Sequence, residues 1–317
     1  MRIEPLVQQH VFDVTDWVPD AEFGIFPQGA RAKDAIFSPQ IPGLDQVRPE
    51  TRYLFKRSKR SYPDQFWGEV VAYRVGCLMG LKVPPAFCAV NRDREHVGAL
   101  IEWFYGKNEI LTHGGDLMTR VRPGYDRGKG TQHNLEDIST LMTAAERGGR
   151  FAENWRSWWA DALLFDALIG NTDRHQDNWG LIRDPTAGKH RQLRLAPLFD
   201  NGTSLGHERF VERVRGWTDA QLNDYISKGT HHVKWVVDVE PVPEINKHLE
   251  LLQTVWATWQ GTLDLARARL SFSEENLREC YVDLCHLAAP TPFSEGRCAF
   301  ISRLLTRRFE ILKTAVA

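Results

Sequence analysis

The hydrophobic pattern changes period part-way along the chain. Up to about residue 104, apolar residues fall in short runs bounded by Pro, Gly and Asp: Val11–Val18, Ala35–Phe37, Arg52–Lys56, Ala86–Val90 and Val97–Phe104. Runs of that length and punctuation predict strands. The segment Gln65–Gly80 instead places Phe66, Val70, Tyr73 and Cys77 at helical spacing, with Glu69 on the border of the stripe, and stops at Gly80 before Pro84-Pro85. A carboxylate on that border can reach the neighbouring sheet. After Tyr105, the glycine- and charge-rich stretch Gly106–Gly130 reads as a loop. Helical patterns follow at Leu135–Arg147, Ala152–Ile169, Glu244–Arg269, Glu274–Leu287 and Ser294–Lys313. An irregular stretch, Gly170–Leu205, contains two short apolar runs, Trp179–Ile182 and Leu193–Leu195. The expectation is an α+β chain with a small β-rich lobe over residues 1–104 and a larger, mostly helical lobe over 105–317.

Composition narrows the class. The 317 residues carry 40 basic and 41 acidic side chains, a net charge of −1, which argues against a nucleic-acid coat. No apolar run approaches the ~20 residues that span a bilayer, and the N-terminus lacks a signal-peptide pattern. Five cysteines are too few, and odd in number, for a disulfide framework. A cytoplasmic location is expected. Cys280, Cys285, His286 and Cys298 lack the paired spacing of a zinc site, and neither a Walker A motif nor a Gly-x-Ser-x-Gly elbow is present. Trp155, Trp158 and Trp159 have helical spacing and read as core.

The chemistry concentrates in Ile169-Gly170-Asn171-Thr172-Asp173-Arg174-His175-Gln176-Asp177-Asn178-Trp179-Gly180, followed by Leu195-Ala196-Pro197-Leu198-Phe199-Asp200-Asn201-Gly202. An Asp, an Asn five residues on and a later Asp after a short hairpin is the order phosphoryl transfer uses: one carboxylate orients the attacking hydroxyl, and two oxygen donors hold Mg²⁺. Asp, Asn and Gly are also the commonest turn residues, so each alone has a bland explanation.

NTDRHQDNWG followed by LAPLFDNG resembles the signature of the bacterial HipA-type serine/threonine kinases. Its DRHxxN core is also similar to the catalytic loop of phosphatidylinositol 3- and 4-kinases. The likeness is strongest over residues 150–205, moderate over 25–105, and beyond about 235 only general, apart from Lys228-Gly229-Thr230-His231-His232. It implies a bilobal protein-kinase-like fold that uses ATP and Mg²⁺. Asp173 then matches the catalytic Asp, and Asn178 and Asp200 the metal ligands. Lys56, in Arg52-Tyr53-Leu54-Phe55-Lys56, matches the lysine that binds the ATP phosphates, with Glu69 as its ion-pair partner. Gly29-Ala30-Arg31-Ala32-Lys33 resembles the short phosphate loop, which assigns Gly29, Ala30 and Lys33 to the nucleotide. Ile101-Glu102-Trp103-Phe104 resembles the hinge, where Glu102 and Phe104 would meet the adenine. His175, two residues from the base, is in reach of the γ-phosphate.

Each residue has a rival reading: a solvated cation in the run Arg52–Arg60 for Lys56, a surface acid for Glu69, an edge strand for Glu102 and Phe104, a structural imidazole for His175. Two departures stand out. There is no room before residue 10 for the extra N-terminal subdomain of larger HipA toxins. The segment Ile25-Phe26-Pro27-Gln28 lacks the regulatory serine that precedes their phosphate loop.

The resemblance implies transfer of phosphate to Ser or Thr of a protein. It further implies a toxin–antitoxin role in which a translation factor such as an aminoacyl-tRNA synthetase is the target and an antitoxin chain the partner. Alternatives are a lipid or small-molecule kinase, a nucleotide-binding pseudokinase acting as an interaction module, and a helical DNA-binding regulator, the last disfavoured by the neutral balance. That balance is itself a sum of opposed fields: Lys33 and Arg52–Arg60 on one side, Asp173, Asp177 and Asp200 on the other, a pairing that suits Mg–ATP.

Overall fold

The computed structural model describes residues 2–22, 32–41, 43–149, 151, 153–186, 193–238 and 244–317. Its elements begin with β1 (Phe12–Asp13), β2 (Val18–Pro19), β3 (Lys33–Phe37), β4 (Arg52–Arg57), α1 (Trp67–Met79), β5 (Ala86–Asn91) and β6 (His96–Glu102). They continue with β7 (Ile110–His113), α2 (Gly114–Val121), α3 (Leu135–Arg147), α4 (Trp155–Ile169), β8 (Gly180–Arg183) and β9 (Leu193–Leu195). The remainder is helical: α5 (Val211–Val214), α6 (Asp219–Ser227), α7 (His248–Thr258), α8 (Thr262–Arg269), α9 (Glu274–Val282), a 3-10 turn Asp283–His286, and α10 (Glu295–Val316). The chain therefore mixes strands and helices as the pattern predicts. It divides into two compact units, one of residues 1–103, 201–217 and 272–306, the other of 104–200, 218–271 and 307–317.

The first unit is organised by a six-stranded sheet in the order β1-β5-β6-β4-β3-β2, antiparallel except for β1 against β5. Side chains alternate across a strand, and β4 shows what this does. Tyr53 and Phe55 point to one face, where Phe55 lies in register with Leu100, and Leu100 with Phe87. These four share a core with Phe12, Trp17 and Ile36. Lys56 points to the other face, in register with Ala99, and α1 packs on β5 and β6. The expected strand Val11–Val18 pairs only at its ends, because Asp13 accepts the Thr15 N–H at 3.0 Å and turns the chain between them.

The second unit contains the sheet β7-β8-β9 and a helical layer in which α4 packs against α7 and α8. Trp155 and Trp159 are fully buried, and the indole N–H of Trp158 donates to the Ala196 carbonyl at 3.1 Å.

Two expectations are corrected. Gly106–Gly130 is not a plain loop: it contains β7, paired with β8, and α2. Three apolar-leaning residues and a Gly-Gly helix start are too short a pattern to announce either element. Glu244–Arg269 is two helices, because Gly261 takes φ +79°, a conformation that favours glycine, and starts α8. The apolar period runs on across the break, since Leu251, Leu252, Val255 and Ala266 are all buried.

Phe55→Ala should lower the unfolding free energy by about 3–5 kcal/mol in a urea titration, since Phe55 is buried at the centre of the first unit's sheet.

Candidate active site

The segment rich in chemistry hangs from the end of α4. Asn154 caps the helix start, its side chain accepting the Arg156 and Ser157 N–H groups at 3.0 and 3.1 Å. Gly170, at φ +67°, ends the helix in the left-handed conformation that releases the chain into the loop. On the last turn sits Asp166, a carboxylate with no exposed surface among Leu163, Phe165 and Leu168. Burying it is tolerable only because its oxygens are saturated. Arg174 donates to it through Nε at 2.9 Å and Nη2 at 2.7 Å, Asn171 through Nδ2 at 3.0 Å, and His231 through Nε2 at 2.8 Å. His231 Nδ1 accepts the Val233 N–H at 3.1 Å, which leaves Nε2 as the nitrogen that donates to Asp166. Burial alone would raise the Asp166 pKa; Arg174 and His231 together hold it well below the carboxylate range instead.

This network shapes the loop. Asn171 Oδ1 accepts the Asp173 N–H at 3.0 Å. Asn178 donates its side-chain N–H to the Asp173 carbonyl at 2.6 Å, which leaves its carbamoyl oxygen as the atom it can offer a cation. Arg174 Nη1 reaches the carbonyls of Asn178 at 3.2 Å and Phe199 at 2.6 Å. One buried guanidinium thus ties together Asp166, Asn178 and the residue before Asp200. Asp200 itself takes φ +57°, a sparsely populated backbone for a residue other than glycine. His175 Nδ1 accepts the Asp177 N–H at 3.1 Å and its carbonyl accepts the Asn178 N–H at 2.9 Å, so this imidazole also holds the turn. Asp177 is taken by Arg127 at 2.6 Å, so that charge is answered locally.

In the first unit, Lys56 and Glu69 are brought together: Nζ lies 2.9 Å from Glu69 Oε1, both side chains 4% exposed. Glu69 Oε2 accepts the N–H of Asn201, the residue after Asp200, at 2.9 Å. Two other cations of the basic run are engaged elsewhere. Arg52 pairs with Asp20 and lies over the Trp103 ring, and Arg57 is 3.4 Å from Asp34. Lys33 opens β3 directly opposite Lys56, which puts both on one face of the sheet. Gly29 and Ala30 lie outside the described residues. Glu102 is 3.3 Å from Arg48, with its pKa raised by burial, and its backbone N–H donates to the Pro85 carbonyl. Phe104 stacks on Phe199 with centroids 4.9 Å apart.

Sequence reasoning missed Asp166, and it singled out the stretch holding His231 and His232 without giving either a role. The available signal was Asp166 itself, an acid inside an otherwise apolar helix, which demands a buried partner. The ring of His232 lies 6.0 Å from that of His175 and 5.8 Å from that of His133. Burial, followed by the charge of His175, pushes the His232 pKa down to about 4.

A family model of the HipA-like C-terminal domain matches residues 25–247, and the chain belongs to that family. A serine/threonine-protein kinase, CtkA of Helicobacter pylori, is 25% identical over 147 residues, which are 46% of this chain and 42% of that protein's length. The crystal structure of the Helicobacter pylori proinflammatory kinase CtkA aligns over 96% of this chain and 98% of that chain, with a TM-score of 0.69 and 18% identity. The fold is therefore kinase-like. A Shewanella oneidensis complex of the HipA and HipB toxin–antitoxin system with operator DNA covers 93% of this chain and 66% of its own at 11% identity, but its TM-score of 0.38 is too low to bear on the fold. Among the described residues, no helix is long and apolar enough to cross a membrane.

Two measurements probe the network. Asp166→Asn leaves a buried Arg174 without its counter-charge and should cost about 3–5 kcal/mol in denaturant unfolding. Because the pKa of His232 is lower folded than unfolded, acid favours the unfolded chain. Its contribution to stability is intact above the ordinary value of 6.5 and erodes as the pH falls towards about 4. Urea titrations at pH 7 and pH 5 should therefore show a smaller acid loss for His232→Gln than for the wild type.

Proposed function

We propose that this protein is an ATP- and Mg²⁺-dependent kinase that phosphorylates Ser or Thr on a protein. The observation that carries the reading is the buried Lys56–Glu69 pair, with the second Glu69 oxygen on the backbone of Asn201. A lysine held 4% exposed against one carboxylate has given up most of its freedom. Such fixation suits a group that must meet nucleotide phosphates in one place. Asp173 acts as the base: it orients the substrate hydroxyl and accepts its proton. Its backbone is fixed from both sides, by Asn171 on its N–H and Asn178 on its carbonyl. Asn178 and Asp200 offer hard oxygens, the donor set Mg²⁺ takes alongside phosphate and water. The metal, when bound, neutralises the charge that develops on the phosphates. Lys33, on the same sheet face as Lys56, adds a second cation for the phosphates, with Gly29 and Ala30 as the preceding loop. Glu102 and Phe104 are assigned to the adenine, and His175 to the γ-phosphate. In domain terms, residues 1–104 carry the phosphate loop and the lysine strand that would hold the nucleotide, and residues 105–317 carry the catalytic and metal-binding loops.

CtkA's description as a serine/threonine-protein kinase supports the protein-substrate reading. Membership of the HipA-like family supports a toxin–antitoxin setting with a partner chain; a translation factor is the target that the sequence resemblance implies.

Intact-mass spectrometry after incubation with ATP and Mg²⁺, alone and with candidate protein substrates, tests the proposal. Phosphate should appear with the wild type and not with Asp200→Ala, and Asp173→Ala should slow transfer by about 10²–10⁴-fold. Label on lipid but never on protein would overturn the substrate class. Nucleotide binding without transfer in the wild type would make the chain a pseudokinase.

A further inference from the structure

A cavity of about 470 Å³ lies within the second unit, beside the C-terminal end of α4. That volume is within the range of small-molecule sites. It is bounded by the end of α6, the start of α7 and the last turns of α10. Three cations line it, Lys247, Arg307 and Arg308, against one acid, Glu250. An apolar wall of Ile226, Leu249, Ile311 and Leu312 completes it.

The cavity also receives the first residues of α7, whose N-cap, Lys247, makes no side-chain cap hydrogen bond. A helix N-terminus favours negative charge. The independent observation is His248. It is 7% exposed, it lines the cavity, and neither ring nitrogen has a hydrogen-bond partner among the described residues. A buried imidazole left unsatisfied costs free energy that a ligand bearing acceptor oxygens would return. Arg307 is steadied there by its Nε on Asn223 Oδ1 at 2.6 Å and paired through Nη1 with Glu310 at 2.6 Å, so it meets the anion through its remaining guanidinium N–H groups.

We propose that this cavity binds a small organic anion. A phosphate or carboxylate head would sit on His248, Lys247 and Arg307, and an apolar body on the Ile226 and Leu249 wall. Occupancy has a short route to the catalytic loop. The His248 ring lies edge-on to His231 with centroids 5.6 Å apart, and His231 holds Asp166. Arg308 donates to the Ala167 carbonyl at 3.1 Å, and a Cβ on Gly170 would lie only 2.6 Å from its Nη2. The same two residues that line the cavity therefore brace both the network and the glycine that starts the loop.

Calorimetric titration of the full chain with phenyl phosphate, benzoate and uncharged phenol tests this. Phenyl phosphate or benzoate should bind saturably and phenol far more weakly; the tighter of the two anions identifies the head group. Arg307→Ala should weaken anion binding by about tenfold or more, the worth of a charged hydrogen bond. Ser227→Trp, at an exposed position on the cavity, should abolish it without touching the core. Hydrogen exchange of the Asn171–Asn178 amides should slow when the anion is bound, a readout independent of kinase activity. No binding, equal binding of phenol, or anion binding unaltered in both variants would overturn the site. Displacement by ATP together with an unaffected Arg307→Ala would assign the anion to the nucleotide site instead. Binding with unchanged loop exchange would overturn the coupling.

Discussion

The loop between α4 and β8 depends on one carboxylate with no exposed surface. Asp166 carries its charge inside a helix whose other buried neighbours are apolar, and a bare charge there would be intolerable. It is stable because Arg174, Asn171 and His231 all donate to it. The loop pays for that arrangement with its freedom. Arg174 cannot satisfy Asp166 without also presenting Nη1 to the carbonyls of Asn178 and Phe199. The backbones before Asp200 and around Asn178 are consequently set by an interaction that none of the proposed reacting groups makes directly. Buried ion pairs are weak evidence for stability, but they impose a single geometry, and geometry is what phosphoryl transfer needs.

The first unit repeats the device on a smaller scale. Glu69 divides its two oxygens between Lys56 and the Asn201 backbone, so one carboxylate positions a side chain and a loop together. In the second unit, Arg174 holds the Phe199 carbonyl that precedes Asp200, whose backbone is left-handed.

Some of this was legible in the sequence and some was not. Asp173, Asn178 and Asp200 stood out because they lie close together, between apolar elements, at an informative spacing. Lys56 was legible through strand alternation, which sends it to the face opposite Phe55. The pairing of Glu69 with Lys56 needed only one strand and the next helix. Asp166 and His231 were hidden by their separation of 65 positions. His248 was hidden too, since nothing local distinguishes an imidazole at a helix start from any other. The acidic cluster was over-read: Asp177 belongs to Arg127, fifty positions earlier. The helix break at Gly261 was missed because burial on both sides of it follows the same apolar period.

The sequence alone determined most of the strands and helices, though not β7, α2 or the break at Gly261, and which residue types can do phosphoryl chemistry, because periodicity, turn residues and short-range spacing are local properties. Tertiary structure alone decided which charges pair and which side chains meet around the cavity between α6, α7 and α10. The reason is that a buried charge is stable only with its partner, and its choice of partner depends on proximity in space rather than along the chain.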